Sequence, residues 1–169
     1  MPKKIVTSNV INANKKKPRI AVFGGRKADE TLCREAEAVG RGIAERGWTL
    51  LCGGRGGIME AVSRGCKDAG GTVVGILPGD DDSDANPWVD IAIPTGLGLA
   101  RNAVLAMACR AAVAIGGNYG TLSEIAYALQ YEKPLISLHS WEIPGSVPAE
   151  NAAEVLQKLE ALINRKESL

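Results

Sequence analysis

Three times along this chain a short apolar run stops at a pair of glycines. Residues 19–23 (RIAVF) end at Gly24-Gly25, residues 48–52 (WTLLC) at Gly53-Gly54, and residues 111–115 (AAVAI) at Gly116-Gly117. A segment of helical spacing follows each corner. Continuous apolar runs this short fit strands buried on both faces, which is the situation in a parallel sheet covered by helices. The intervening segments agree. Residues 29–46 line up Leu32, Ala36, Val39 and Ile43 on one stripe before Gly47 ends the pattern. Residues 58–69 turn Ile58, Ala61, Val62 and Cys66 to one side, and Gly70-Gly71 close that helix in the manner of a C-terminal glycine cap.

The alternation continues to the end of the chain. Residues 72–77 (TVVGIL) read as a strand and residues 78–87 (PGDDDSDANP) as an acidic, turn-rich surface loop. Residues 89–93 form a short strand. Residues 96–109 form a helix with Leu97, Ala100, Val104 and Met107 at core spacing. A strand at 111–115, a helix at 121–131, a last strand at 134–138 and a last helix at 149–166 complete the series. This order predicts an α/β fold: a single-domain, Rossmann-like, doubly wound parallel sheet with helices on both faces, spanning residues 19–169. A chain of 169 residues suffices for one such domain and its core. Aromatic residues are only 4% while glycines number 20, so packing relies on close approach of backbones.

Charge is unevenly spread. Residues 1–19 carry Lys3, Lys4, Lys15, Lys16, Lys17 and Arg19 and no acid, so residues 1–18 are expected to form a flexible basic tail. The rest of the chain is net acidic, which argues against nucleic acid as a partner. No apolar run reaches the length of a membrane span, and Arg101 and Arg110 interrupt the longest candidate. The start has no apolar signal-peptide region. Cys33, Cys52, Cys66 and Cys109 show no CxxC pairing, and there is one histidine, so no metal site is expected. Reduced cysteines fit a cytoplasmic location.

In a doubly wound sheet, ligands bind beyond the carboxyl ends of the strands. The glycine pairs fall there, each before a helix whose first N–H groups can face an anion. Gly53, Gly54, Gly56 and Gly57, with Arg55 among them, form one phosphate-type corner, and Gly116, Gly117 and Gly120, with Asn118 and Tyr119, form another. Gly24 and Gly25 supply a third approach. Arg101, after Thr95 and Gly96, sits where a guanidinium can grip phosphate in bidentate fashion. Neither GxGxxG nor GxxxxGK[ST] is present. His139 has no triad around it and reads as a loop residue. The Asp80–Asp84 run lacks EF-hand spacing and reads as a solvated loop. Thr121-Leu122-Ser123-Glu124 fits T-x-x-E, a capping box in which Thr121 caps the helix and Glu124 reaches back to it. The alternative places Glu124 against a bound phospho-sugar, orienting water or stabilising positive charge on a ribose carbon.

Gly116-Gly117-Asn118-Tyr119-Gly120-Thr121-Leu122-Ser123-Glu124 resembles the PGGxGTxxE motif of the LOG ("lonely guy") family, long misnamed lysine decarboxylases. The likeness spans about residues 19–140, and it includes the corners at Gly24-Gly25 and Gly53-Gly54 and the segment carrying Arg101. It implies hydrolysis of nucleoside 5′-monophosphates to free base and ribose 5-phosphate, with Arg101 and Glu124 as the catalytic pair. Ile115 replaces the family's proline, Asn118-Tyr119 fills the place of one residue, and Asn102 stands where the family has lysine. Gly47-Trp48, Gly53-Gly54-Arg55, Gly70-Gly71-Thr72, Gly75-Ile76-Leu77-Pro78-Gly79, Val89-Asp90-Ile91 and Thr95-Gly96-Leu97-Gly98 resemble a sister group, the molybdenum cofactor carrier proteins. That likeness implies a Rossmann-like homo-oligomer, dimer or tetramer. It would bind the molybdenum cofactor (molybdopterin), with the cofactor's phosphate on the corners just described and molybdoenzymes as recipients. A carrier of a phosphorylated heterocycle, a LOG-type phosphoribohydrolase and a nucleotide sensor therefore stand side by side as expectations.

Overall fold

The computed structural model describes residues 16–165; of the expected basic tail only Lys16, Lys17 and Pro18 fall within that range. Strand β1 (Arg19–Gly24) lies at the centre and explains the layering. Ile20 and Val22 face one core and Ala21 and Phe23 the other, and all four are fully buried. Around it run β2 (Thr49–Cys52), β3 (Thr72–Leu77), β4 (Ile91–Pro94), β5 (Ala111–Ile115), β6 (Leu135–Leu138) and β7 (Val147–Ala149). The order is β4-β3-β2-β1-β5-β6-β7, and every neighbouring pair is parallel. This is the predicted doubly wound sheet. The chain steps outward in one direction from β1 to β4, then returns to the other side of β1 at β5, so the strand order reverses between β1 and β5.

Helices α1 (Glu30–Glu45), α2 (Ile58–Asp68) and α5 (Ala152–Arg165) cover one face, and α3 (Arg101–Ala108) and α4 (Tyr119–Gln130) cover the other. Asp29 caps α1 by accepting the Leu32 N–H at 2.8 Å. At its far end Gly47 takes φ +69° and Trp48 N–H donates to the Ile43 carbonyl, the glycine-terminated end that the sequence suggests. Helices α1 and α2 press together through glycines. A Cβ on Gly40 would stand 2.1 Å from the Val62 carbonyl oxygen, and one on Gly65 would stand 2.0 Å from that of Glu37.

The structure corrects several expected elements. The helix expected over 96–109 is a 3-10 turn at Gly98–Ala100 followed by α3 from Arg101. Its buried residues are Arg101, Asn102, Leu105 and Ala106, while Leu97 and Met107 are each 51% exposed. The apolar spacing points the wrong stripe inward because Arg101 and Asn102 have buried polar partners. Two parallel connections contain no helix: the loop 78–90 between β3 and β4, and the loop 139–146 between β6 and β7. Strand β7 escapes sequence reading because its VPA is short and Pro148 cannot donate to a ladder. It displaces the start of α5 from 149 to 152. Among the described residues no helix is long and apolar enough to cross a membrane.

Candidate anion-binding cleft

The reversal between β1 and β5 opens a crevice beyond their carboxyl ends, at Gly24 and Gly116. A cleft of about 240 Å³ lies there. The corners that frame it touch: a Cβ on Gly25 would lie 3.6 Å from the Gly117 Cα. The Ile58 N–H, first in α2, donates to the Gly25 carbonyl at 3.0 Å and locks the second corner to the first. Gly57 holds that junction at φ +68°, where a Cβ would sit 2.4 Å from the Gly25 oxygen. Neither α2 nor α4 has a side-chain cap at its start. Gly120 and Thr121, in the first turn of α4, line the cleft, so N–H groups at this helix end are positioned for an anion.

Of the residues singled out from sequence, Gly24, Gly25, Arg55, Arg101, Asn118, Gly120, Thr121 and Glu124 meet at this cleft. The others support it from outside. Gly53 offers its carbonyl to Arg101 Nη2 at 3.4 Å, and Gly54 N–H points to Cys52 Sγ. Gly56 lies in the same loop. Gly116 accepts from Ser140 Oγ at 2.6 Å. Gly117 takes φ +89° against Thr121. Tyr119 is 81% exposed, its ring 6.2 Å from that of Trp141. Thr95 and Gly96 do not line the cleft; Thr95 Oγ1 donates to the Leu77 carbonyl and Gly96 N–H to that of Gly79, each at 2.7 Å. His139 is exposed on its loop.

Arg101 and Glu124 form the buried centre. Arg101 Nη1 donates to Glu124 Oε1 at 3.5 Å and to Asn102 Oδ1, and the two residues are 6% and 5% exposed. Arg101 Nε is buried without an acceptor among the described residues. Burial pushes the Glu124 carboxyl up to about 8, against the pull of the Arg101 charge. It therefore keeps its proton to higher pH than an ordinary carboxylate, which weakens its cancellation of the Arg101 charge. Burial lowers the Arg101 guanidinium, the Glu124 carboxylate opposes that and the nearby Arg55 adds to it, yet an arginine stays charged. The capping box is not formed. The N-cap is Asn118, and Thr121 lies inside the first turn. Glu124 turns instead into the cleft, because Arg101 supplies a buried partner that the helix end does not.

Four lining residues were not anticipated: Arg26, Met59, Leu99 and Asn102. Arg26 had a signal, since it directly follows the first glycine pair. Asn102 had none from spacing. It donates to Ser123 Oγ at 2.8 Å and to the Gly120 carbonyl at 3.4 Å, tying α3 to the first turn of α4. Arg55 is held by Asp84 at 3.4 Å. Asn86 fastens the acidic loop beneath it: its side chain donates to the Arg55 carbonyl at 3.0 Å and its backbone N–H to the Gly54 carbonyl at 2.7 Å. Three arginines thus face one cleft in which Glu124 is the one lining carboxyl among the described residues, and burial disfavours its charged form. Such a cleft selects anions.

Comparison with known proteins agrees with this architecture. The molybdenum cofactor binding protein of Rippkaea orientalis superposes with a TM-score of 0.84 at 36% identity, covering 88% of this chain and 98% of that one. The molybdenum cofactor carrier protein of Chlamydomonas reinhardtii gives 0.80 at 34% identity, over 88% and 99%. A cytokinin riboside 5′-monophosphate phosphoribohydrolase of Mycobacterium marinum is 31% identical over 125 residues, which is 65% of this chain and 64% of that protein. The family model for the SLOG cluster4 family matches residues 17–167, nearly the whole chain. The chain belongs to the SLOG cluster4 family.

Proposed function

We propose that this protein binds the molybdenum cofactor and carries it without turnover. The observation that supports this reading most is the convergence of Arg26, Arg55 and Arg101 on glycine corners, in a chain whose fold matches cofactor-binding relatives over 88% of its length. The fit to the residues is good. The orphaned Nε of Arg101 is a buried donor in need of an acceptor, and the uncapped start of α4 adds backbone donors beside it. The cleft's 240 Å³ suits a phosphate and an adjoining ring. The remainder of so large a ligand would rest on the adjoining surface of Arg26, Lys27 and Asn118. When bound, the cofactor supplies a molybdenum–dithiolene centre to a recipient molybdoenzyme. In the carrier, the arginines hold the phosphate, and protonated Glu124 offers an O–H to an acceptor on the ligand.

A specific feature also favours a second reading. The resemblance to the LOG family implies that Arg101 and Glu124 are its catalytic pair, and the two are in contact. As a phosphoribohydrolase, Arg101 would position the phosphoribosyl group. In that reading Glu124 would act in its ionised form, stabilising the ribosyl cation as the C–N bond breaks, with water adding to the sugar carbon and the base leaving with a proton. Self-association fits either reading. Met107, Tyr127 and Tyr131 are exposed on α3 and at the end of α4, and a monomer in sedimentation at micromolar concentration would contradict it.

Purification from molybdenum-cofactor-producing cells, followed by oxidation and pterin fluorescence, tests the carrier reading. Stoichiometric pterin is expected, lost in Arg55→Gln. Release of free base from adenosine or cytokinin monophosphate, abolished in Glu124→Ala, would overturn it in favour of the hydrolase.

A further inference from the structure

A second pocket opens at the opposite end of the sheet. Arg19 begins β1, Arg110 immediately precedes β5, and Lys133 lies just before β6. With Lys16 and Lys17 they surround a cavity of about 410 Å³. Five cationic side chains line it and one carboxylate, that of Glu132. No described carboxylate lies within ion-pair distance of any of the five. At about 3.3 Å per residue, the six residues of β1 put this pocket about 16 Å from the cleft at Gly24, so one small ligand cannot occupy both.

Part of this charge has a local explanation. The carboxyl ends of α3 and α5 reach this side, and exposed helix carbonyls attract cations. Arg19 Nε donates to the Ala108 carbonyl at 2.7 Å, and Arg110 Nη2 donates to that of Ile163 at 3.3 Å. That leaves Lys16, Lys17 and Lys133 without a role. It also leaves Arg110 Nε, which is buried and has no acceptor among the described residues. A buried guanidinium N–H is costly to leave unmade. An excess of unpaired cations around a concave space is an attractor for a compact anion. Tyr131 adds an aromatic wall.

We propose that this pocket is a second ligand site, for a small phosphate-bearing anion, with Arg110 and Lys133 in direct contact and Lys16 and Lys17 closing over it. It is independent of what the cleft binds. Guanidinium and ammonium donors lose about tenfold in affinity for each charge-assisted contact removed.

The test is calorimetric titration of inorganic pyrophosphate into the full chain carrying Arg26→Gln and Arg55→Gln, which weakens the cleft about a hundredfold. One equivalent is expected to bind. Adding Lys17→Glu and Lys133→Glu should weaken that binding about a hundredfold or more. Backbone amide shifts should concentrate at Arg110 and Lys133 and spare Gly25 and Gly120. Thermal melting monitors the fold. If the glutamate pair melts early, Lys17→Gln with Lys133→Gln serves, with a smaller but measurable loss expected. Three results would each overturn the proposal: unchanged affinity in the charge-altered chain, heat that never saturates at millimolar pyrophosphate, or shifts confined to the cleft.

Discussion

Glu124→Gln separates a titrating carboxyl from every other charge in the protein. In the folded chain this carboxyl is pushed from its ordinary 4.5 up to about 8. The native state then binds one more proton than the unfolded chain between those two values. Its contribution to stability is therefore fully present below about pH 4.5, falls as pH rises, and levels off above about 8. At about 1.4 kcal/mol for each pH unit, the ceiling of that loss is about 5 kcal/mol. Water penetration and relaxation of the buried pair reduce it, so about 2 kcal/mol or more is expected, or roughly 5 °C in Tm for a domain of this size. Glutamine has the shape of the protonated acid and cannot ionise. Melting curves of both proteins should nearly coincide at pH 5 and diverge by pH 9, with the variant the more stable. All other groups titrate alike in the two chains, so their difference isolates Glu124. Tm curves that stay parallel from pH 5 to 9 would show that the carboxyl is ionised throughout, and the argument for a weakened cancellation of the Arg101 charge would fail.

Gly40→Ala should destabilise the fold by about 2 kcal/mol or more, since its methyl would overlap the Val62 carbonyl and force α1 from α2; urea denaturation measures it. Arg55→Gln should weaken phosphate binding about tenfold, whereas Asp84→Asn, which removes the carboxylate 3.4 Å from Arg55, should strengthen it; titration of inorganic phosphate reads both. Asn86→Ala should cost about 1–3 kcal/mol by leaving the Arg55 carbonyl and its surroundings without their donor, and should raise proteolytic nicking in the acidic loop.

The layering was legible because it depends on period and punctuation. The stripe Ala36, Val39 and Ile43 is buried as its spacing requires, and the glycine pairs mark the ends of β1, β2 and β5. The meeting of the corners could be argued from topology, since a doubly wound sheet brings together whatever follows its switch strands. What spacing could not show was the direction of a polar side chain whose partner is distant in sequence. Glu124 fits a local capping pattern perfectly well as text, and only contact with Arg101, on another helix, turns it inward. The same contact turns α3, so that Arg101 is buried beside Leu105 and Ala106 while Met107, and Leu97 ahead of the helix, are exposed. Asn102 belongs to the same class: its partners Gly120 and Ser123 lie on α4.

A carboxyl beside an anion site is thus a means of making binding depend on protons. A bound phosphate adds negative charge next to Glu124 and makes its ionisation still harder. By linkage, a ligand that raises the carboxyl's affinity for a proton must itself bind more weakly once that proton is gone. Relative to the Glu124→Gln chain, affinity for phosphate in the cleft should therefore hold steady from pH 6 to 7 and decline as pH passes about 8, the titration of phosphate itself being common to both. In Glu124→Gln only the ligand's own titration should remain. Calorimetry in two buffers of different ionisation heat reads the proton uptake directly. Net uptake near pH 8 in the wild-type chain, absent in the variant, is the expected result. Equal proton counts in both would mean that phosphate and Glu124 do not sense each other, and that the carboxyl serves only to hold Arg101 in place.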